Sequence, residues 1–225
     1  MYSKKEKLFK LFLKNLAKNF SPKKNRKWQY RFFKGGEILK EVLKMNNALV
    51  IYFSNTGNTE KVALAIEKGL KKGGLDVDVK KVNEAEMEDF FDYDLVCFGS
   101  PVLHSLPPPP VFNFIKKNEK RYRNSGDVNL SSPPIINKSA LVFCTYSGPH
   151  CGINEAIPVG KYIRQFFEHL GFDIKDEWYE IGEFYGWDEG SIKGRLGDIR
   201  GRPNTEDLAI VELKAVQLAR SICKK

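Results

Sequence analysis

The stretch IYFSNTGNTEKVALAI, residues 51–66, changes within four positions from an apolar run to hydroxyls and amides around one glycine, and then to a helical pattern. The run ALVIYF (48–53) reads as a strand buried on both faces, because such strands carry continuous apolar residues rather than an alternation. From Thr59 onward, Val62, Ala63, Ala65, Ile66 and Leu70 share one side of a helix that closes on KKGG (71–74), with lysines in the last turn and glycines to cap it. Residues 54–59 therefore sit at a strand-to-helix turn. A helix start presents unpaired N–H groups and roughly half a positive charge, so an anion is its natural guest. Gly57 lets a backbone approach closely, and Ser54, Thr56 and Thr59 offer hydroxyls. The absence of lysine excludes the nucleoside-triphosphate loop GxxxxGK[ST], and the single glycine excludes the dinucleotide loop GxGxxG. A neutral cradle suits one terminal phosphate.

Outward from this turn, strand and helix signals alternate. LDVDVKKV (75–82) alternates in polarity, YDLVCFGS (93–100) and SALVFCTYSG (139–148) are apolar, and FDIKDEWYEI (172–181) is mixed. Strands one, three and four are thus expected in the centre of a sheet and two and five at its edges. Helical patterns cover 107–118 after a proline run and 154–170. A last helix opens near 204, with Asn204 or Thr205 as N-cap. A β-α repeat of this kind predicts a parallel sheet with right-handed crossovers and helices on both faces. Ligands of such sheets bind at the carboxyl ends of the strands, where the strand order reverses.

Two more loops belong to that edge: GSPVLHSLPPPP (99–110) after strand three and TYSGPHCGIN (145–154) after strand four. Together with Ser54, Thr56, Gly57 and Thr59 in the spacing [ST]-x-T-G-x-T, with Asn55 and Asn58 in the free positions, the chain resembles the flavodoxin family. The resemblance covers roughly residues 47–222. It implies a flavodoxin-like α/β fold, three layers with a doubly wound five-stranded parallel sheet in the order 2-1-3-4-5, and flavin mononucleotide (FMN) as a non-covalent cofactor. By that resemblance Ser54, Asn55, Thr56, Gly57, Asn58 and Thr59 hold the phosphate. Ser100, Pro101, Val102, Leu103 and His104 flank one side of the flavin, and Thr145, Tyr146, Ser147, Gly148, Cys151 and Gly152 flank the other. Tyr146 either stacks on the ring or packs on the sheet edge; His104 and His150 are solvated loop residues or proton donors. Trp178 is read as packing, while Trp187 lies in a glycine-rich segment that either packs or reaches the cofactor. Two redox roles stay open: passing single electrons to a partner protein, or accepting hydride from NAD(P)H to reduce a small acceptor such as a quinone. No acid–base pair or metal site is expected.

Composition bounds the rest. A chain of 225 residues that is 42% hydrophobic can build a core, and no apolar run reaches the ~18 residues of a membrane span. Lys10 and Lys14 interrupt the apolar start, so no signal peptide is read and a cytoplasmic protein is expected. Cys97 and Cys144 lie in apolar runs, Cys151 lies in a loop, and without a CxxC pair no disulfide framework is expected. The net charge of +9 is uneven: residues 1–46 hold 14 Lys+Arg against 3 acids. That places a boundary between a basic helical extension (1–46) and the flavodoxin-like domain (47–225), whose charge of about −2 departs from the strong acidity of carrier flavodoxins. In the extension Ser3 and Glu6 form a capping box, and Leu8, Phe12, Leu16 and Phe20 belong to an apolar stripe. The extension docks on protein, including a second subunit of a homo-oligomer, or lies on an anionic membrane surface. Nucleic acid is not expected, since charge with interleaved aromatics is its only support.

Overall fold

The computed structural model describes residues 46–223; the capping box, the apolar stripe and the rest of the basic extension up to residue 45 lie outside the described residues. Five strands form the sheet: β1 Asn47–Tyr52, β2 Asp76–Lys81, β3 Leu95–Pro101, β4 Ser139–Tyr146 and β5 Asp173–Ile181. All neighbours pair in parallel, in the order β2-β1-β3-β4-β5, which is the order the flavodoxin resemblance implies, with the edge positions expected from the polarity patterns. Every residue of β4 is buried, as are all but the first of β1. Edge strand β2 instead buries Val77 between exposed Asp76 and Asp78.

Two helical layers cover the sheet. On one face α1 (Asn58–Lys72) and α5 (Thr205–Cys223) pack over Val50, Cys97, Leu141 and Phe143. On the other, α2 (Pro109–Asn124) and α3 (Ile157–His169) pack over Ile51, Phe98 and Val142, with Phe166 and Phe167 from α3 filling the layer. Burying each such phenylalanine contributes roughly 1.5–3 kcal/mol. Helices α1 and α5 approach closely: a Cβ on Gly69 would lie 2.3 Å from the Glu212 carbonyl oxygen. Asn204, one of the two expected caps, fills that role, its Oδ1 accepting from the amides of Glu206 and Asp207, each at 3.0 Å. Cys97 and Cys144 are fully buried, which pushes both thiols up, and Trp178 is packed in the α1–α5 layer.

Two segments differ from the sequence reading. Helix α2 runs on to Asn124 rather than stopping near 118, because Tyr122 is buried and its hydroxyl accepts from the Phe90 amide at 2.8 Å. Residues 182–203 contain a short helix, α4 (Asp188–Lys193), that the glycine-rich sequence concealed. The crossover between β2 and β3 holds only a one-turn 3-10 helix, Phe90–Asp92. No helix among the described residues is long and apolar enough to cross a membrane.

Candidate functional site

Because all five strands are parallel, their carboxyl ends share one edge, and the loops after β1, β3, β4 and β5 meet there. β1 leads to a helix on one face and β3 to a helix on the other, so the strand order reverses between them, where ligands of such sheets bind. A cavity of about 720 Å³, lined in part by Ile135, Lys138 and Asp173, opens at the opposite, amino edge and takes no part.

The loop after β1 turns on Gly57, whose φ of 92° lies in the left-handed region. Its amide donates to Ser54 Oγ at 3.1 Å, so that hydroxyl closes the turn. No side chain caps α1, which leaves the first-turn amides to be satisfied by water or a ligand. The next two residues face inward: Asn58 is 6% and Thr59 1% exposed. Asn58 Nδ2 donates to the Glu183 carbonyl at 3.0 Å, while its Oδ1 is buried with no partner among the described residues. A buried acceptor without a donor costs free energy that a ligand hydroxyl or a water recovers. Thr59 Oγ1 lies 2.7 Å from Thr145 Oγ1, a buried bond that ties the β1 loop to the end of β4.

The β3 and β4 loops are knit to the same edge. Val102 N donates to the Thr145 carbonyl at 2.9 Å. Ser100 is fully buried, and its hydroxyl donates to the Pro101 carbonyl at 2.8 Å, so it serves its own backbone. Leu103 and Leu106 exchange two backbone hydrogen bonds of 2.9 Å around His104 and Ser105, whose φ values of 49° and 58° define a tight left-handed turn. That turn holds Leu103 and Leu106 out, 48% and 64% exposed. In the β4 loop, Gly152 N donates to Gly148 O at 3.0 Å. Glu155 Oε1 accepts from the amides of His150 and Cys151. A Cβ on Gly148 would lie 2.6 Å from the Gly152 carbonyl oxygen, so this turn requires glycine.

Of the expected residues, 54–59, Val102, Leu103, Thr145, Ser147, Gly148 and Gly152 gather at one edge. Tyr146 is only 7% exposed and packs inward, and burial raises its hydroxyl pKa. His104, His150 and Cys151 are exposed on the loops. The β5 loop contributes contacts not foreseen from sequence. Ser147 Oγ donates to Gly182 O at 2.7 Å, and a Cβ on Gly182 would stand 2.7 Å from Asn58 Nδ2. Arg195 N donates to Pro149 O at 2.8 Å, which holds the α4 segment against the β4 loop. Trp187 sits there, its ring 6.0 Å from His150 and edge-on to Phe184 at 5.3 Å. The signals for this segment in the sequence were glycine directly after β5 and the aromatics at 184, 185 and 187.

The one acid in the first turn of α1 is turned aside. Glu60 accepts from the Tyr52 hydroxyl at 2.6 Å and pairs with Lys81 at 3.2 Å. The Tyr52 bond, with Lys81 adding to it, holds the Glu60 carboxyl below its usual range. Burial first, and then Glu60, push the Tyr52 hydroxyl up. A helix start with neutral donors, one orphan buried acceptor, the exposed Leu103 and Leu106 of the β3 loop and a glycine-bearing β4 loop can seat an anionic group at one end and a flat apolar body between the loops. No group of three or more His, Cys, Asp or Glu residues suited to a metal occurs among the described residues.

Comparison with known proteins agrees with this geometry. A family model described as a flavodoxin domain matches residues 49–148. An NAD(P)H dehydrogenase (quinone) of Archaeoglobus fulgidus is 25% identical over 210 residues, spanning 80% of this chain and 100% of its own length. A flavodoxin of Megasphaera elsdenii is 34% identical over 56 residues, covering 25% of this chain and 41% of that protein. Among solved structures, a flavodoxin from the domain Archaea superposes with a TM-score of 0.53 at 17% identity, covering 78% of this chain and 98% of that one. A flavodoxin of Streptococcus pneumoniae TIGR4 gives 0.54 at 19% identity, covering 78% and 99%. The flavodoxin-domain match over residues 49–148, the 2-1-3-4-5 sheet and the superposable flavodoxin structures show that the fold of this chain is flavodoxin-like.

Proposed function

We propose that the domain binds FMN non-covalently at the carboxyl edge and acts as a redox flavoprotein, in electron transfer or flavin-linked reduction. The observation that carries this reading is the entry to α1: a loop at 54–59 without lysine, leading into a helix uncapped by any side chain and bonded through Thr59 to Thr145 beside the second loop. When bound, FMN supplies one-electron and hydride chemistry. The chain's own residues bind and orient it. The first-turn amides and the Thr56 hydroxyl are the donors for the phosphate, and Asn58 Oδ1 is the acceptor left for a ligand hydroxyl. The loops at 102–106 and 146–152 bracket the ring, and Leu103, Leu106 and Trp187 exclude water from it. Tyr52 and Lys81 keep the Glu60 charge away from the phosphate.

Electron transfer needs no side-chain catalyst, which suits a carrier that serves a partner protein. The reductase reading is favoured by the full-length match to a protein named NAD(P)H dehydrogenase (quinone). Titration of FMN with purified protein tests the shared claim: quenching of flavin fluorescence is expected, and no quenching would refute it. Stopped-flow mixing of the FMN-loaded protein with NADPH then divides the two roles. Rapid bleaching of the flavin absorbance makes it a reductase, and an unchanged spectrum makes it a carrier.

A further inference from the structure

A second cavity, about 520 Å³, lies beside the β1 loop on the face covered by α2. It exists because the crossover from β2 to β3 lacks a full helix and leaves the carboxyl end of this face open. Its floor is Phe53 and Val82, directly after β1 and β2, and its wall is one side of α2. Pro110, Asn113, Phe114 and Lys117 stand at i, i+3, i+4 and i+7, so a single helix face supplies them. Strand ends and a helix face are rigid supports, and the volume lies within the ~300–1,000 Å³ typical of small-molecule sites.

The lining divides into an apolar floor and a polar rim. Phe53 is half-buried and offers its ring for an aromatic ligand to stack on or pack edge-on, while Val82 and Phe114, nearly buried, contribute only edges to the apolar floor. Around them stand the amides of Asn83 and Asn113 and the ammonium groups of Lys81 and Lys117 as donors, and Glu86 as acceptor. The rim carries no surplus charge to attract an anion, because Lys81 pairs with Glu60 and Lys117 pairs with Glu86. Each ammonium keeps further N–H donors after one ion pair. Such a rim favours a neutral ligand that accepts hydrogen bonds from lysine and amide groups and donates to the Glu86 carboxylate.

We propose that this cavity is a binding site, separate from the loops at the reversal of strand order, for a neutral one- or two-ring aromatic compound bearing carbonyl or hydroxyl groups. The site shares Ser54 with the β1 loop, so its occupant lies next to the phosphate end of the first site. The assignment stands on the cavity's own lining and does not depend on FMN binding.

Two-dimensional amide NMR of the full chain, titrated with 4-hydroxyacetophenone at mildly acidic pH, tests it. This probe joins an aromatic ring to a carbonyl acceptor and a hydroxyl donor, is neutral under those conditions, and carries no group that alkylates the exposed Cys151 or Cys223. Saturable shifts at Val82, Asn83, Asn113 and Lys117 are expected, with and without FMN. Asn113→Trp, an exposed helix position at the cavity wall, is expected to weaken that binding at least tenfold. Asn124→Trp, at the far end of the same helix, is expected to leave it unchanged, and circular dichroism checks that both variants fold. Absence of saturable shifts, shifts confined to 103–106 and 146–152, or unaltered binding in Asn113→Trp would each overturn the proposal. FMN quenching measured in the same samples shows whether the first site fails independently.

Discussion

The hydroxyl pair of Thr59 and Thr145 gives a sharp test of how the site is held together. Both residues are nearly inaccessible and their oxygens are 2.7 Å apart, across 86 positions of sequence. Thr59→Val keeps the shape but leaves the Thr145 hydroxyl buried without a partner; Thr145→Val does the reverse. An unsatisfied buried hydroxyl costs about 1–3 kcal/mol, whereas replacing both partners with apolar groups of the same shape is nearly neutral. For a domain of this size, 1 kcal/mol moves the midpoint by about 3 °C, so each single variant is expected to lower Tm by about 3–9 °C. The double variant is expected to lose less than either. Urea unfolding and calorimetry of wild type, both singles and the double, all without flavin, complete the cycle. Independent sites add to within ~0.5 kcal/mol. Additive losses would therefore show that the two hydroxyls do not bond, and the coupling between the β1 loop and β4 would be refuted.

Two further changes probe the sheet and its rim. A Cβ on Gly99 would lie 2.2 Å from two carbons of the Phe143 ring, so Gly99→Ala is expected to cost about 3 kcal/mol by overpacking. Gly99→Ala combined with Phe143→Leu should recover part of that, and urea midpoints check both; an unchanged midpoint for Gly99→Ala would contradict the packing. Tyr52→Phe removes the main group that lowers the Glu60 pKa, so Glu60 should titrate closer to its ordinary value in carboxyl-detected NMR. A depressed carboxylate stabilises the fold above its unfolded pKa and loses that contribution as pH falls through the folded pKa. The stability gap between wild type and Tyr52→Phe should therefore be widest near neutral pH and close in acid; a gap that widens in acid would contradict it.

Much of this architecture was legible because burial writes itself into polarity. The unbroken runs at 48–53 and 139–146 marked strands covered on both faces, and the alternation at 76–81 marked an edge. The helix start at Gly57 was legible too, because few other settings call for a glycine among neutral hydrogen-bonding groups between a strand and a helix. What stayed hidden depends on contacts between distant residues. Nothing local to Thr59 reveals that its hydroxyl meets Thr145, and nothing near Asn58 reveals the Glu183 carbonyl. Helix α4 was masked by its glycines, and its first turn packs Gly190 against the Trp187 ring, a contact that only the fold supplies. Tyr146 read equally as a stacking ring or a packed one, since an aromatic at a strand end looks the same in either role. The extension's amphipathic reading lies outside the described residues.

The central claim is that the start of α1 holds the phosphate of FMN, and comparison of FMN with riboflavin tests it most directly. The two share ring and ribityl chain and differ only in the phosphate. Hydrogen bonds to a charged group contribute about 1.5–3 kcal/mol each, and two such bonds from the first turn correspond to at least about a hundredfold in affinity. Fluorescence-quenching titrations at fixed salt should therefore show FMN binding at least a hundredfold tighter than riboflavin. Equal affinity for the two, or no binding of either, would contradict the account.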